Sequence, residues 1–284
     1  MAISKKDFDY VSRLAHRESA LVLEAGKEYL VVTRLGPLAQ REGFASLAAL
    51  IQQMRLETKI NGLHHRAIDA LTTNETLFFR DFHPFEALRR SILPELLAKR
   101  ASARRLTIWS AAASTGQEPY SLAMLLLEHF PQLADWTVSI LATDLSPTVL
   151  KVAQAGKYSQ FEVNRGLPAS YLIKYFTKQG DKWCVKDEVK SMVEFRPLNL
   201  IQTWPIMPPL DLVFIRNVMI YFDVETKKTI LKKIRTCLLP HGYLFLGTAE
   251  TTTNLDPQYQ PVAHGKAVVY RVQQPEPSTP LAAS

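Results

Sequence analysis

Two carboxylates and a loop of small residues carry the first chemical signal in this sequence. The apolar run Leu106 to Trp109 leads into SAAASTGQEPYSLAMLLL, where small side chains run into a helix near Pro119. Small side chains let a ligand approach the backbone closely, and a helix start offers free N–H groups. Gly116 is the only glycine there, so the loop is not a GxGxxG fingerprint and gives a pyrophosphate little cradle. Taken alone, it also fits a plain strand-to-helix turn. The next apolar run ends at Asp144, in the place where an acidic residue accepts hydrogen bonds from ribose hydroxyls. Glu118 adds a second negative charge beside the first loop, a position that also suits an ordinary acid in a first helical turn. Two carboxylates in a partly dry cleft disfavour phosphate and attract a cationic nucleoside. S-adenosyl-L-methionine has that character: adenosine, a sulfonium, a free amino group and no phosphate.

The elements that must position these groups follow from periodicity. Short β-branched runs at Leu106 to Trp109, Val138 to Thr143 and Leu210 to Ile215 alternate with helical segments, which implies a parallel sheet covered on both faces. Ser146-Pro147 reads as an N-cap with proline in the first turn, opening a helix that Gly156 closes. A further helix, from about Val224 to Leu239, is stopped by Pro240-His241-Gly242; Tyr243 to Gly247 and Val268 to Val272 then form an antiparallel pair at one sheet edge. The expected fold is α/β: a doubly wound, mostly parallel sheet with a small N-terminal all-α domain over 1–71 and an inserted β-subdomain at about 157–196, with a hairpin turn at Gly180-Asp181-Lys182. In the helical region, Gly36-Pro37 and Gly43 are expected breaks. The proline-rich tail, 273–284, is expected to be disordered.

Composition narrows the function classes. Apolar residues make up 47% and charged residues 21% of the 284, so the chain can bury a full core and is not a low-complexity or fibrous sequence. No run approaches the roughly 18 apolar residues of a membrane span, and the start MAISKKDFDYVSRLAHR lacks a signal-peptide core; a cytoplasmic protein with no membrane insertion is expected. Cys184 and Cys237 lie far apart without histidines at ligand spacing, which points to reduced, buried thiols and no metal site. The net charge of +7 suits an acidic partner, although the basic residues are scattered and fit a solvated surface better than a nucleic-acid footprint.

Four blocks together resemble the chemotaxis-receptor methyltransferase family, CheR: TTNETLFFRD at 72–81, WSAAASTGQEPYSLAM at 109–124, ATDLSPTVLKVAQAGKY at 142–158 and FIRNVMIYFD at 214–223. PLNL at 197–200 and LLPHGYLFLG at 238–247 are similar and in the same order. The resemblance implies a class I S-adenosylmethionine-dependent fold over 72–272 and methylation of glutamate side chains on chemoreceptors or receptor-like sensors, with S-adenosyl-L-homocysteine as the other product. Residue by residue it assigns Asn74, Thr76 and Arg80 to the cofactor's amino-acid end and the reaction centre. Glu118 falls to the amino group or sulfonium side, Asp144 to the ribose, and Asn199 and Leu200 to the adenine. Arg216 and Asn217 close a strand at the site, and Arg80 and Tyr221 orient the reacting groups.

The implied partner is the cytoplasmic helical domain of a receptor, met by a monomer at membrane receptor arrays. Lys27, Arg34 and Arg41 in the helical region are the cations assigned to docking, with Gly36-Pro37 interrupting the stretch where relatives carry arginines. The β-subdomain has only a short turn near Gly180, whereas members that grip a receptor's C-terminal pentapeptide carry a longer loop, so tether-free binding is expected. Two other readings compete: a non-catalytic cofactor-sensing or receptor-scaffold protein, and a nucleic-acid methyltransferase. The only Pro-Pro, Pro208-Pro209, follows Met207. It therefore lacks the Asn/Asp-Pro-Pro-aromatic element with which enzymes handle a flipped base.

Overall fold

The structure is a computed structural model that describes residues 3–273. It begins with four helices: α1 (Lys5–Ser19), α2 (Glu28–Arg41), α3 (Leu47–Leu56) and α4 (Gly62–Leu71). They enclose a small core of their own, including Val11, Leu14, Val31, Leu35, Leu50, Ile51 and Met54. The spacing of these residues puts one apolar stripe per helix toward that core. Ser4, Ser46 and Asn61 cap α1, α3 and α4 with their side chains. The expected break at Gly36-Pro37 does not occur, because Pro37 sits inside α2. Its missing N–H would have bonded to Thr33, whose own hydroxyl turns back onto the Tyr29 carbonyl at 2.8 Å. Gly43, at φ 79°, does end that helix.

A linker through α5 (His83–Ala87), a π-turn (Leu88–Ile92) and α6 (Leu93–Arg100) leads into the main sheet. The chain continues as β1 (Arg105–Ala111), α7 (Gln117–His129), β2 (Thr137–Asp144) and α8 (Pro147–Ala155). A small insert holds β3 (Lys157–Ser159), α9 (Gln160–Val163), α10 (Ala169–Tyr175), β4 (Phe176–Gln179), β5 (Lys182–Val185) and α11 (Asp187–Lys190). Then come β6 (Val193–Pro197), β7 (Leu210–Ile215), α12 (Val224–Cys237), β8 (Leu238–Leu246), β9 (Tyr259–His264) and β10 (Ala267–Val272).

The seven-stranded sheet has the order β6-β2-β1-β7-β8-β10-β9. Its first five strands are parallel, and β10 runs antiparallel to both β8 and β9. All six residues of β7 are buried, as a strand covered on both faces requires. Leu212 and Phe214 face one core while Val213 and Ile215 face the other. α8 runs as expected, with the Ser146 hydroxyl accepting the Val149 N–H and Gly156 closing the helix at φ 59°.

Three differences from the sequence expectation stand out. The second sheet, β3-β5-β4, lies within the expected insert, but Val193–Pro197 does not belong to it: β6 pairs with β2 along Ile140–Asp144 and forms an edge of the main sheet. β6 alternates weakly and is half exposed, which is why it reads as part of the polar insert. At the other edge, β9 flanks β10, a strand that QYQPVAH conceals behind its proline and polar residues. Finally, Cys184 is buried but Cys237 only half so. Apart from Gln273, the proline-rich tail lies outside the described residues.

Candidate active-site cleft

Strand order reverses between β1 and β7, the place where parallel α/β sheets open a crevice beyond their carboxyl ends. Here the crevice is a cleft enclosing about 990 Å³, part of it open to solvent. It collects the chain just after each of four neighbouring strands: Ala112 to Ser114 and Glu118 beyond β1, Asp144 ending β2, Leu198 to Leu200 beyond β6, and Arg216 to Val218 beyond β7. Asn74, Thr76, Arg80 and Tyr221 also line it, so all ten residues assigned to cofactor or catalysis meet in one place.

The loop after β1 takes an unusual path. Ala112 and Ser114 have φ of 56° and 52°, and Gly116 of 93°, conformations costing an L-residue with a side chain roughly 1–2 kcal/mol each. Asp144 accounts for part of this path: its Oδ2 accepts the Ser114 N–H at 2.8 Å and its Oδ1 the Ser146 N–H at 2.9 Å. Only 8% exposed, the carboxyl is pushed above its ordinary range by burial, against the pull of those two amides. Among the described residues no cation pairs with it, so its remaining lone pairs face the cleft without a fixed partner. The Ser114 hydroxyl donates to the Asn74 carbonyl at 2.9 Å and ties this loop to the segment carrying Arg80. Gly116 is needed at close quarters, since a Cβ there would lie 2.9 Å from the Cβ of Ala153.

Arg216 is not free to bind a ligand head-on. Its guanidinium, with the side chain 1% exposed, holds Glu118 Oε2 at 2.9 Å and Asp81 Oδ2 at 2.7 Å, and it donates to the Arg80 carbonyl at 3.0 Å. The other Glu118 oxygen accepts the Ser110 hydroxyl at 2.9 Å. Glu118 thus lines the cleft as a member of an ion triad, two carboxylates on one guanidinium, whereas among the described residues no cation pairs with Asp144. The triad also explains the backbone around Arg80. Phe79, Asp81 and Phe82 all have positive φ, a kink that the Arg216 bonds to Arg80 and Asp81 hold in place. Among the described residues the Arg80 guanidinium itself donates only to the Glu75 carbonyl, at 3.0 Å, which leaves most of its fork for a carboxylate.

Asn199 lines the cleft beside Leu200. Its amide donates to the Glu18 carbonyl at 2.7 Å and its Oδ1 accepts the Ile201 N–H, which leaves one N–H and one lone pair. The residue also joins this side of the cleft to the end of α1. Nearby, Val22 donates its N–H to the Tyr221 carbonyl at 3.0 Å, and His16 contacts Asp223 at 2.8 Å. Ser19 and Leu21 thereby become part of the cleft wall. Among the described residues the Tyr221 hydroxyl has no partner, and neither do the side-chain polar atoms of Thr76 and Asn217.

The three docking cations divide. Arg34 is turned inward, donating to the Thr72 carbonyl and to the Thr73 hydroxyl, and so fixes the start of the Asn74–Arg80 segment. Lys27 pairs with Glu24 at 3.0 Å. Arg41 is exposed at the far end of α2. Sequence reasoning passed over Asp81 and Ser114, although both stand inside the quoted blocks. It also passed over Ser19 and Leu21, which no strand end precedes.

Over residues 6–72 the chain matches the family described as CheR methyltransferase, all-alpha domain, and over residues 74–268 the one described as CheR methyltransferase, SAM binding domain. It is 43% identical to chemotaxis protein methyltransferase 1 of Pseudomonas aeruginosa over 278 residues, covering 96% of this chain and 100% of that protein. Chemotaxis protein methyltransferase Cher2 of Pseudomonas putida is 38% identical over 278 residues, with the same coverage of both chains. For the chemotaxis protein methyltransferase of Vibrio parahaemolyticus the identity is 39% over 277 residues, covering 96% and 99%.

Proposed function

The chain belongs to the CheR methyltransferase family, and from that premise we propose that its cleft methylates glutamate side chains on the cytoplasmic helical domain of a chemoreceptor. It is an S-adenosylmethionine-dependent methyltransferase. When bound, S-adenosyl-L-methionine supplies a methyl group on a positively charged sulfur and leaves as S-adenosyl-L-homocysteine. The residues present suit that donor. The cleft lies beyond the carboxyl ends of the strands, where such sheets bind nucleosides, Asp144 offers an acceptor without a competing cation, and no glycine-rich phosphate cradle stands beside it.

The observation that carries the reading is the meeting of Asp144, Arg80 and Tyr221 on one cleft. Glutamate has an ordinary pKa of about 4.3, so near neutral pH the nucleophile is already an anion and no general base is required. The protein's task is then orientation and exclusion of water. Asp144 holds the ribose end, Leu200 covers an apolar face of the base, and Asn74, Thr76 and Asn217 line the reaction end. Arg80 presents two parallel donors to a carboxylate. Tyr221 has its hydroxyl available to steer the same group. Holding reactants at near-attack geometry contributes up to roughly 7–11 kcal/mol in well-oriented systems. Because opposite charges neutralise along the path, a site that solvated either ion strongly would slow transfer, and a half-closed cleft serves better.

Of the assigned docking cations, Arg41 is exposed to acidic partners, Lys27 shares its charge with Glu24, and Arg34 serves the cleft instead. We propose that the protein acts as a cytoplasmic monomer brought to receptor arrays by its substrate, without nucleic acid. The test uses labelled cofactor, purified receptor cytoplasmic fragments and mapping of modified glutamates. Wild type should label specific glutamates, while Arg80→Ala should lose on the order of 10²-fold in turnover, the scale of a mispositioned reactant, with its fold unchanged. Near-normal receptor methylation by that variant would refute the role given to Arg80, and cofactor binding without any methyl transfer by wild type would favour a scaffold.

A further inference from the structure

The turn bearing Asn217 and Tyr221 is held by a carboxylate that none of the sequence blocks contains. Glu250 lies in the turn beyond β8. Its Oε2 accepts the N–H of Gly247 at 2.6 Å and of Asn217 at 2.8 Å, and its Oε1 accepts the N–H of Ile220 at 3.2 Å. Three amides from two separate loops thus converge on one side chain. The loops need such a centre. Asn217 sits in the left-handed region at φ 58°, and Met219–Tyr221 forms a single 3-10 turn too short to satisfy its own amides. The approach is close: a Cβ on Gly247 would fall 2.7 Å from Glu250 Oε2 and 2.8 Å from the Asn217 nitrogen.

We propose that Glu250 is a positioning residue for methyl transfer: by binding the amides of Asn217, Gly247 and Ile220 it fixes the 217–221 turn, and so the places of Asn217 and Tyr221 at the reaction end of the cleft. The inference rests on the functional reading above. The far wall does not depend on Glu250, because Asp144 and the Ala112–Ser114 loop are held by bonds of their own. Loss of Glu250 therefore strikes orientation more than cofactor affinity.

The two oxygens also make the test specific. In Glu250→Gln the amide oxygen can take the place that serves Asn217 and Gly247, and only the Ile220 bond is lost to a donor facing a donor. In Glu250→Ala all three amides lose their acceptor. With receptor fragments as substrate, Glu250→Ala should lower kcat on the order of 10²-fold, while the calorimetric Kd for S-adenosyl-L-homocysteine moves less than about threefold, within the context scatter of a single contact. Glu250→Gln should recover kcat to within about tenfold of wild type, the upper end of what one ordinary hydrogen bond contributes. Equal damage from both variants would overturn the proposal, as would a parallel loss of kcat and cofactor affinity, or an alanine variant with full kcat. Should the alanine variant not fold, a glutamine variant that loses kcat and cofactor affinity in parallel overturns it. Wild type run alongside separates the two claims: if it binds cofactor but methylates no receptor glutamate, the functional reading falls and takes this inference with it.

Discussion

Replacing Arg216 by methionine tests the physical core of the cleft. The side chain is 1% exposed and bridges Glu118, 12% exposed, and Asp81, 34% exposed. Removing one partner from a buried ion pair costs about 3–5 kcal/mol, because the remaining charge stays buried without compensation. Water partly screens Asp81, which also keeps its bond from the Thr248 hydroxyl, so the lower end, about 3 kcal/mol, is expected. For a chain of this size that corresponds to a Tm roughly 6–12 °C lower. Methionine keeps the apolar packing over Phe85, where the guanidinium carbon lies 5.8 Å from the ring centre, so the loss reads charge and hydrogen bonding more than volume. Urea unfolding of Arg216→Met, Glu118→Gln and the double variant closes a cycle. Once Arg216 is gone, the neutral amide at position 118 should relieve part of the damage and give a coupling of about 1–3 kcal/mol. Additivity within about 0.5 kcal/mol would show that the pair does not act as a unit and would refute the reasoning.

Other outcomes follow from single groups. The Asp144 carboxyl is pushed up by burial, so its contribution to stability is complete below the ordinary value and lost as pH rises through the raised one, whereas its use as a ribose acceptor is lost as pH falls through that same raised value. Calorimetry with S-adenosyl-L-homocysteine from neutral pH down toward the ordinary carboxylate range should show wild-type affinity falling on acidification and a flatter, weaker Asp144→Asn; parallel curves would count against the ribose role. Asp223 caps α12 through the Thr226 N–H and meets His16, and these partners, the Thr226 amide first, hold its carboxyl down at about 2. Asp223→Ala should cost about 1 kcal/mol near neutral pH. By the sign of that shift, the difference from wild type should shrink between about pH 4 and pH 2, which urea unfolding along the pH scale checks. The β4–β5 turn is only Gly180-Asp181, so a receptor C-terminal pentapeptide should show no measurable affinity by calorimetry; saturable binding would disprove tether-free recognition.

The elements that sequence reading caught are those whose signals are local. Ser146-Pro147 and Gly156 bracket α8 because a cap, a proline and a left-handed glycine each act within one turn. The run LDLVFI gives β7 residue for residue, since a strand buried on both faces is apolar nearly throughout, and its one acid, Asp211, is paired with Arg100 and His241. β6 and β9 escaped because an edge strand is half wet and needs no such run. The pair Gly36-Pro37 predicts a break, yet the packing of Val31, Leu35 and Leu38 against the helical core holds α2 together across it. At the site, residue types and their order were enough to gather the lining, but not to say who holds whom. That Arg216 is spent on Glu118 and Asp81, that Asn199 reaches Glu18, and that Arg34 turns inward are all contacts between distant segments, which no local pattern encodes.

The seam between the helices and the sheet has a practical consequence for engineering. Ser19 and Leu21 wall the cleft, Asn199 and Tyr221 are bonded to the end of α1 and the chain that follows it, and Arg34 anchors the strand of chain that carries Arg80. A chimera that borrows its first seventy or so residues from another member, to redirect it toward a different receptor, would import part of the nucleoside pocket along with the new specificity. Swapping recognition in this architecture thus means regrafting both sides of the seam together, or accepting that donor affinity will drift with every change of target.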